Sequence, residues 1–203
     1  MNKNQQALQF KITLRDVRPP VWRRILVSPD ATFWDLHVAI QDAMGWDDSH
    51  LHDFAFHGNG KEKHFGMPSP DGEDDDRILP DWDYRVSDHV SLKNPKMKYW
   101  YDFGDDWMHD VVLEKIMDVP VGQKLPICIA GKQACPPDDC GGPWGYAGLL
   151  EALADKKHEE HNDMVEWMGG DDFDPNEFDP SEVTFSDPKR RLRNLKADMG
   201  IKN

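Results

Sequence analysis

Residues 8–45 constrain the fold more than any other stretch. Leu8, Phe10, Ile12 and Leu14 alternate with Gln9, Lys11, Thr13 and Arg15, the period of a strand with one buried face. Pro19-Pro20 interrupts this run, and "VWRRILV" at 21–27 resumes it; proline cannot donate to a ladder, so two strands joined by a bend are predicted. Thr32 stands three residues before Asp35, the spacing at which a hydroxyl and a carboxylate each satisfy a first-turn amide. Phe33, Leu36, Ile40 and Ala43 follow at helical intervals, and Gly45 suits a left-handed terminus. The spacing predicts a helix over 33–44. "LHDFAFHG" (51–58) predicts the next strand. A chain that opens strand, strand, helix, strand is α+β: a mixed or antiparallel sheet with the helix packed on one face.

The remainder divides by composition. Residues 59–98 read as a long loop carrying the acidic tip Glu73-Asp74-Asp75-Asp76, with a short strand within "YRVSDHVSL". A hairpin is expected from strands near 98–103 and 107–116, turning at Gly104-Asp105-Asp106. From Val119 the segment "PVGQKLPICIAGKQACPPDDCGGPWGY" holds five prolines and five glycines and reads as irregular but pinned. Helices are predicted at 145–154, at 158–168, and from Pro188 with Leu192, Leu195 and Met199 as its stripe. "FDPNEFDP" suits short helical turns with Asp as N-cap. The organisation expected is a single domain over 1–203, with a sheet-rich core at 1–118 and a helical C-terminal part at 119–203. "LHDFAF" (51–56) and "MHDVVL" (108–113) echo each other, either by chance or as two neighbouring strands that bring His52 and His109 together.

The net charge is −14, from 38 acidic and 24 basic residues. Such a field repels phosphate backbones. Nucleic acid is therefore a disfavoured partner, although Arg15/Arg18/Arg23/Arg24 and Lys189/Arg190/Arg191/Arg193 form two basic clusters. Eight Trp, nine Phe and nine Met supply a core. The N-terminus lacks the apolar region of a signal peptide, and no apolar run is long enough for a membrane helix. Three cysteines, an odd number, fit a reducing cytoplasm.

Two clusters carry chemistry. Asp102, Asp105, Asp106 and His109 have the residue types of a metal-dependent hydrolase or an acid–base pair. In a hairpin, however, Asp105 and Asp106 are turn residues, while Asp102 and His109 flank the turn and can face each other across it. Cys128, Cys135 and Cys140 are spaced C-x6-C-x4-C, without the C-x2-C pair of strong zinc motifs. A zinc site would draw on His158 or His161, one helical turn apart. Zinc, a Cys135/Cys140 redox pair and plain structural thiols all stay open. No phosphate loop, G-x-S-x-G, H-E-x-x-H or G-x-G-x-x-G occurs.

"LRDVRPPVWRRILVSPDATFWDLHVAIQDAMGWDDSHLHDF" (14–54), "YDFGDDWMHDVVLEKI" (101–116), "CIAGKQACPPDDCGGPWGY" (128–146) and "EWMGGDDFDPNEFD" (166–179) together resemble the Ri-plasmid open-reading-frame-three-like family over about 5–185. The resemblance implies an α+β fold akin to β-grasp or S4-like rolls, a cytoplasmic protein, and no known activity. The function expected is a non-catalytic binding or adaptor module for a protein or small ligand. Its aromatic-acidic groove would be built from Trp46, His50, Tyr101, Asp102, Asp105, Trp107, His109 and Trp144. The alternatives are a hydrolytic or metal-dependent enzyme using Asp102, Asp105 and His109, and a nucleic-acid binder of mobile-element origin.

Overall fold

The structure, a computed structural model, describes residues 4–58, 60–68 and 78–200; the acidic run 73–76 lies outside them. It is α+β. Eight strands form one sheet: β1 (Asn4–Leu14), β2 (Trp22–Val27), β3 (His52–Gly58), β4 (Lys61–Gly66), β5 (Ile78–Pro80), β6 (Lys96–Tyr101), β7 (Trp107–Pro120) and β8 (Ile127–Lys132). Their order is β5-β4-β3-β6-β7-β1-β2-β8, antiparallel throughout except for the β4–β5 pair. Helix α1 is Phe33–Met44, and α2 (Gly142–Ala154), α3 (His161–Met168) and α4 (Pro188–Asp198) follow the sheet.

Local chemistry accounts for α1 as expected. Thr32 Oγ1 accepts from Asp35 N at 3.1 Å while Asp35 Oδ2 accepts from Thr32 N at 2.9 Å, and Gly45 closes the helix at φ 95°. Phe33, Leu36, Ile40 and Ala43 are buried with Phe10, Ile12, Phe54 and Tyr99 of the sheet. The outer side of α1 is covered too. Ser186 N donates to Asp42 Oδ2 at 2.8 Å, Arg191 Nη1 to Asp42 Oδ1 at 3.1 Å, and Trp34 Nε1 to Pro188 O at 2.8 Å. The chain is thus layered as sheet, α1 and C-terminal strap. The "FDPNEFDP" turns form as read, with Asp174 Oδ1 accepting from Asn176 N and Asp179 Oδ1 from Ser181 N, each at 2.8 Å.

Between α1 and the sheet lies a buried polar network. His37 stacks on His52, with ring centroids 3.5 Å apart. His37 bonds the Tyr99 hydroxyl at 2.8 Å and Asp48 at 2.7 Å; His52 bonds Asp81 at 2.8 Å; Gln41 donates to Tyr99 Oη at 2.8 Å. Buried hydrogen bonds of this kind favour one packing arrangement, although Gln41 Oε1, His52 Nδ1 and Asp81 Oδ1 are buried without a partner.

Three segments differ from the sequence reading. "KEKHFG" forms β4 and Ile78–Pro80 forms β5 inside what reads as loop; β4 is polar because its outer residues are exposed. "YRVSDHVSL" holds a 3₁₀ turn at Val86–Asp88 rather than a strand. The Gly/Pro-rich segment contains β8, which pairs with β2 because the outer edge of β2 needs hydrogen-bond partners whatever the local composition. The sheet therefore extends past 118 into the C-terminal part. Strand β6 separates β3 from β7, so His52 faces Tyr101 and His109 faces Tyr99, and the two histidines are not brought together.

Candidate functional site

Three chain-distant loops converge at one end of the sheet. The first follows α1. Trp46 Nε1 donates to Pro136 O at 2.9 Å, Asp47 N to Asp138 Oδ2 at 3.0 Å, and Ser49 N to the Tyr101 hydroxyl at 3.1 Å. The second is the β6–β7 turn, where Asp102 Oδ1 accepts from Gly104 N at 2.9 Å and Asp102 N donates to Leu51 O at 3.0 Å. The third precedes α2, and its Gly141 N donates to Asp105 Oδ2 at 3.0 Å. Gly142 has φ 69° and sits so close that a Cβ would run into Asp105 O, so the turn and the α2 entry dock through backbone. Arg23 braces the assembly from below. Its Nε donates to Ala43 O at 2.8 Å and its Nη1 to Gln133 O at 2.9 Å, while Phe178 lies 3.6 Å from the guanidinium.

The loops are acidic partly for backbone reasons. Asp48, Asp102, Asp106 and Asp139 all have φ between 54° and 60°, a region that aspartate tolerates better than most residues. An aromatic floor lies below His50, whose ring meets Tyr101 edge-on at 5.7 Å. Trp46 stacks on Tyr101 at 5.0 Å, meets Trp107 at 5.8 Å and places its ring edge-on to His109 at 5.4 Å. His50 Nε2 stands 3.1 Å from Asp139 Oδ1 and 3.6 Å from Asp102 Oδ2. Burial pushes the Asp138 carboxyl above its ordinary range.

The groove residues sort into floor and rim. Tyr101, Trp107 and His109 are wholly buried, and Trp46 nearly so; they support a surface and do not present one. Asp102 is buried beside them, His50 and Asp105 are half-buried at the rim, and Trp144 is 89% exposed on α2. Asp102 and His109 do not pair across the strands. Tyr101 faces Trp107 and Tyr99 faces His109, so Asp102 lies in the turn, while His109 points inward with Nδ1 donating to Tyr99 O at 3.3 Å. Burial holds the His109 imidazole down at about 4. The trio Asp102, Asp105 and His109 therefore does not share a cleft. The alternation Trp107, His109, Val111, Leu113 on one face of β7 is the sequence signal for this.

Cys128, Cys135, Cys140, His158 and His161 do not converge as a ligand set. Cys128 lies on β8 with Sγ toward Ala130 O, and His161 Nδ1 donates to Ala152 O at 2.9 Å. All three thiols are free, and burial raises each, Cys140 to about 12. Among the described residues, the group of three or more His, Cys, Asp or Glu donors that does converge is His50, Asp102 and Asp139. Asp139 lies within the run 128–146 that carries the family resemblance, but no spacing in the sequence joins it to His50 and Asp102. Part of each basic cluster is engaged within the fold: Arg23 is buried, Arg24 binds Glu114 at 2.6 Å, and Arg191 binds Asp42, while Arg18, Lys189, Arg190 and Arg193 are exposed.

Next to the rim lies a cleft of about 820 Å³ between the β1–β2 connection, the β6–β7 turn and α2. It is lined among others by Asp16, Arg18, Asp105, Asp106, Trp144 and Leu150.

The family model described as plasmid pRiA4b ORF-3-like protein matches residues 6–182, a span that includes all three loops. The chain belongs to this family. One similar protein is the uncharacterized protein y4hQ of Sinorhizobium fredii, 39% identical over 174 residues, which cover 83% of this chain and 84% of that protein. Among solved structures, a protein of unknown function from Methanosarcina mazei Go1 is 42% identical with a TM-score of 0.82, covering 90% of this chain and all of the other. Neither of these two similar proteins carries a described function. Among the described residues of this member, no helix is long and apolar enough to cross a membrane.

Proposed function

We propose that the protein is a non-catalytic binding module that takes a cationic, extended peptide segment of a partner protein in the cleft beside Trp144. The observation that carries this reading is Trp144 itself, 89% exposed at the mouth of a cleft whose charged lining is three carboxylates, Asp16, Asp105 and Asp106, against Arg18. An indole face attracts a lysine or arginine head, by about 0.5–2 kcal/mol depending on desolvation. The adjoining carboxylates favour the same charge, and a chain of net charge −14 draws basic segments toward it. Trp144 stands on α2 beside a turn held by the Asp105–Gly141 hydrogen bond, so the surface is preorganised and needs little ordering on binding. The free thiols suit work in the cytoplasm.

The test is an array of immobilised peptides, Lys/Arg-rich against Glu/Asp-rich, probed with the full chain. Basic peptides carrying an apolar neighbour are expected to bind, more weakly at higher salt, and Trp144→Ala is expected to weaken them about tenfold or more. Equal binding by Trp144→Ala would defeat the reading.

A further inference from the structure

We propose that His50, Asp102 and Asp139 form a binding site for one divalent cation of the zinc class. This goes beyond the peptide reading and stands whether or not the cleft takes a peptide. Each residue comes from a different one of the three loops, and their donor atoms all lie within 4.8 Å of one another. Two donors about 2.1 Å from a tetrahedral cation stand about 3.4 Å apart. The observed separations from His50 Nε2, 3.1 Å to Asp139 Oδ1 and 3.6 Å to Asp102 Oδ2, bracket that value.

The donors are also unspent. His50 Nε2 is buried and makes no hydrogen bond, although a carboxylate oxygen stands 3.1 Å away. The pair has the spacing of two ligands and not the direction of a bond. The Asp102 side chain is nine-tenths buried; its Oδ1 is committed to Gly104 N, and its Oδ2 is turned toward His50 with no hydrogen bond of its own among the described residues. A buried, unpartnered imidazole nitrogen is costly unless something joins it, and a cation would join it to the Asp102 carboxylate oxygen it faces. The neighbouring Asp138 Oδ1 is buried without a partner as well and adds negative potential.

One imidazole with two carboxylates suits zinc better than calcium or magnesium, which prefer all-oxygen shells. Three protein donors leave a fourth position for water or for a donor from a partner, and Asp139, 72% exposed, keeps that side accessible. A bound cation would tie the loop after α1, the β6–β7 turn and the loop before α2 together, so it would also stabilise the fold.

Zinc chloride titrated into the chelator-stripped full chain, followed calorimetrically and by elemental analysis after dialysis, is expected to give one zinc per chain. Magnesium under the same conditions is expected to bind far more weakly. Asp139→Asn is the safe variant: the side chain is exposed and asparagine tolerates the φ of 58°. It is expected to keep the circular dichroism spectrum, to weaken zinc about tenfold or more, and to lose the rise in melting temperature that zinc gives the natural chain. The His50 Nε2 resonance is expected to move on titration. Failure of the natural chain to take up zinc overturns the proposal. So does unchanged affinity in Asp139→Asn, which would place the metal away from these three residues. Peptide binding measured with zinc and with chelator separates the two readings, since either can fail while the other holds.

Discussion

His37 lies flat on His52, with ring planes 7° from parallel and centroids 3.5 Å apart, and each imidazole holds its own carboxylate, Asp48 or Asp81. Two cations cannot share that contact. Burial first, then the proximity of His52, pushes the His37 imidazole below its ordinary value. Burial also works against the Asp48 carboxylate, yet His37 and Arg191 beside it hold it low.

Acid is therefore expected to loosen the fold through its buried histidines. His37 and His109 both titrate lower when folded than when unfolded, so the unfolded chain binds more protons. Their stabilisation is complete above about pH 6.5 and declines as pH falls toward the folded values. For His109, held at about 4, the loss approaches about 3 kcal/mol at the lower end. Urea unfolding at pH 7.5 and 5 should show the fall, and His109→Phe should make it shallower. A stability unchanged between these pH values would contradict the neutral, buried assignment.

Trp107 and Trp144 should separate cleanly. Trp107 is wholly buried and Trp144 is exposed. Trp107→Ala is expected to cost about 3–5 kcal/mol, and Trp144→Ala to stay within about 0.5 kcal/mol, both read from denaturant midpoints. The mutant for testing ligand binding is therefore Trp144→Ala.

Removing the α1 cap should act as a local loss. Thr32→Ala leaves Asp35 N without its acceptor, at a cost of about 1 kcal/mol. In thermal melts that is a drop of about 2–4 °C for a chain of this size. Adding Asp35→Ala should cost less than a second independent loss, because the two hydrogen bonds form one reciprocal unit.

Gly142→Ala should undo the docking of the β6–β7 turn. The new methyl would meet Asp105 O at a positive φ, and either the strain stays, at about 1–3 kcal/mol, or the α2 entry shifts away. Amide exchange at Gly141, whose N–H is bound by Asp105, is expected to accelerate; unchanged protection would show that the contact relaxes freely.

Arg191 joins the strap to α1 through Asp42 at 3.1 Å and to Asp48 at 3.4 Å. Arg191→Ala is expected to cost about 1–3 kcal/mol and to open the segment around 186–198 to limited proteolysis before the sheet core is cut.

The sequence by itself determined the elements whose signals are local. The capping box and left-handed glycine bound α1 at 33–44, period-two alternation marks β1 and β7, and Gly104-Asp105-Asp106 marks the turn between β6 and β7. The long quoted motifs identified the family. It also placed three segments, 46–52, 101–109 and 135–146, at one candidate groove, and these do converge. Only the tertiary structure decided the rest. Strands β4 and β8 exist because β3 and β2 offer edges to pair with, and no local pattern encodes a partner. The side a residue faces follows from register: Tyr99 opposite His109 and Tyr101 opposite Trp107 put His109 in the core and leave Asp102 in the turn. His50, Asp102 and Asp139 meet because sheet order and loop docking bring them together across the chain, and that proximity is a property of backbone hydrogen bonds that a linear pattern does not carry.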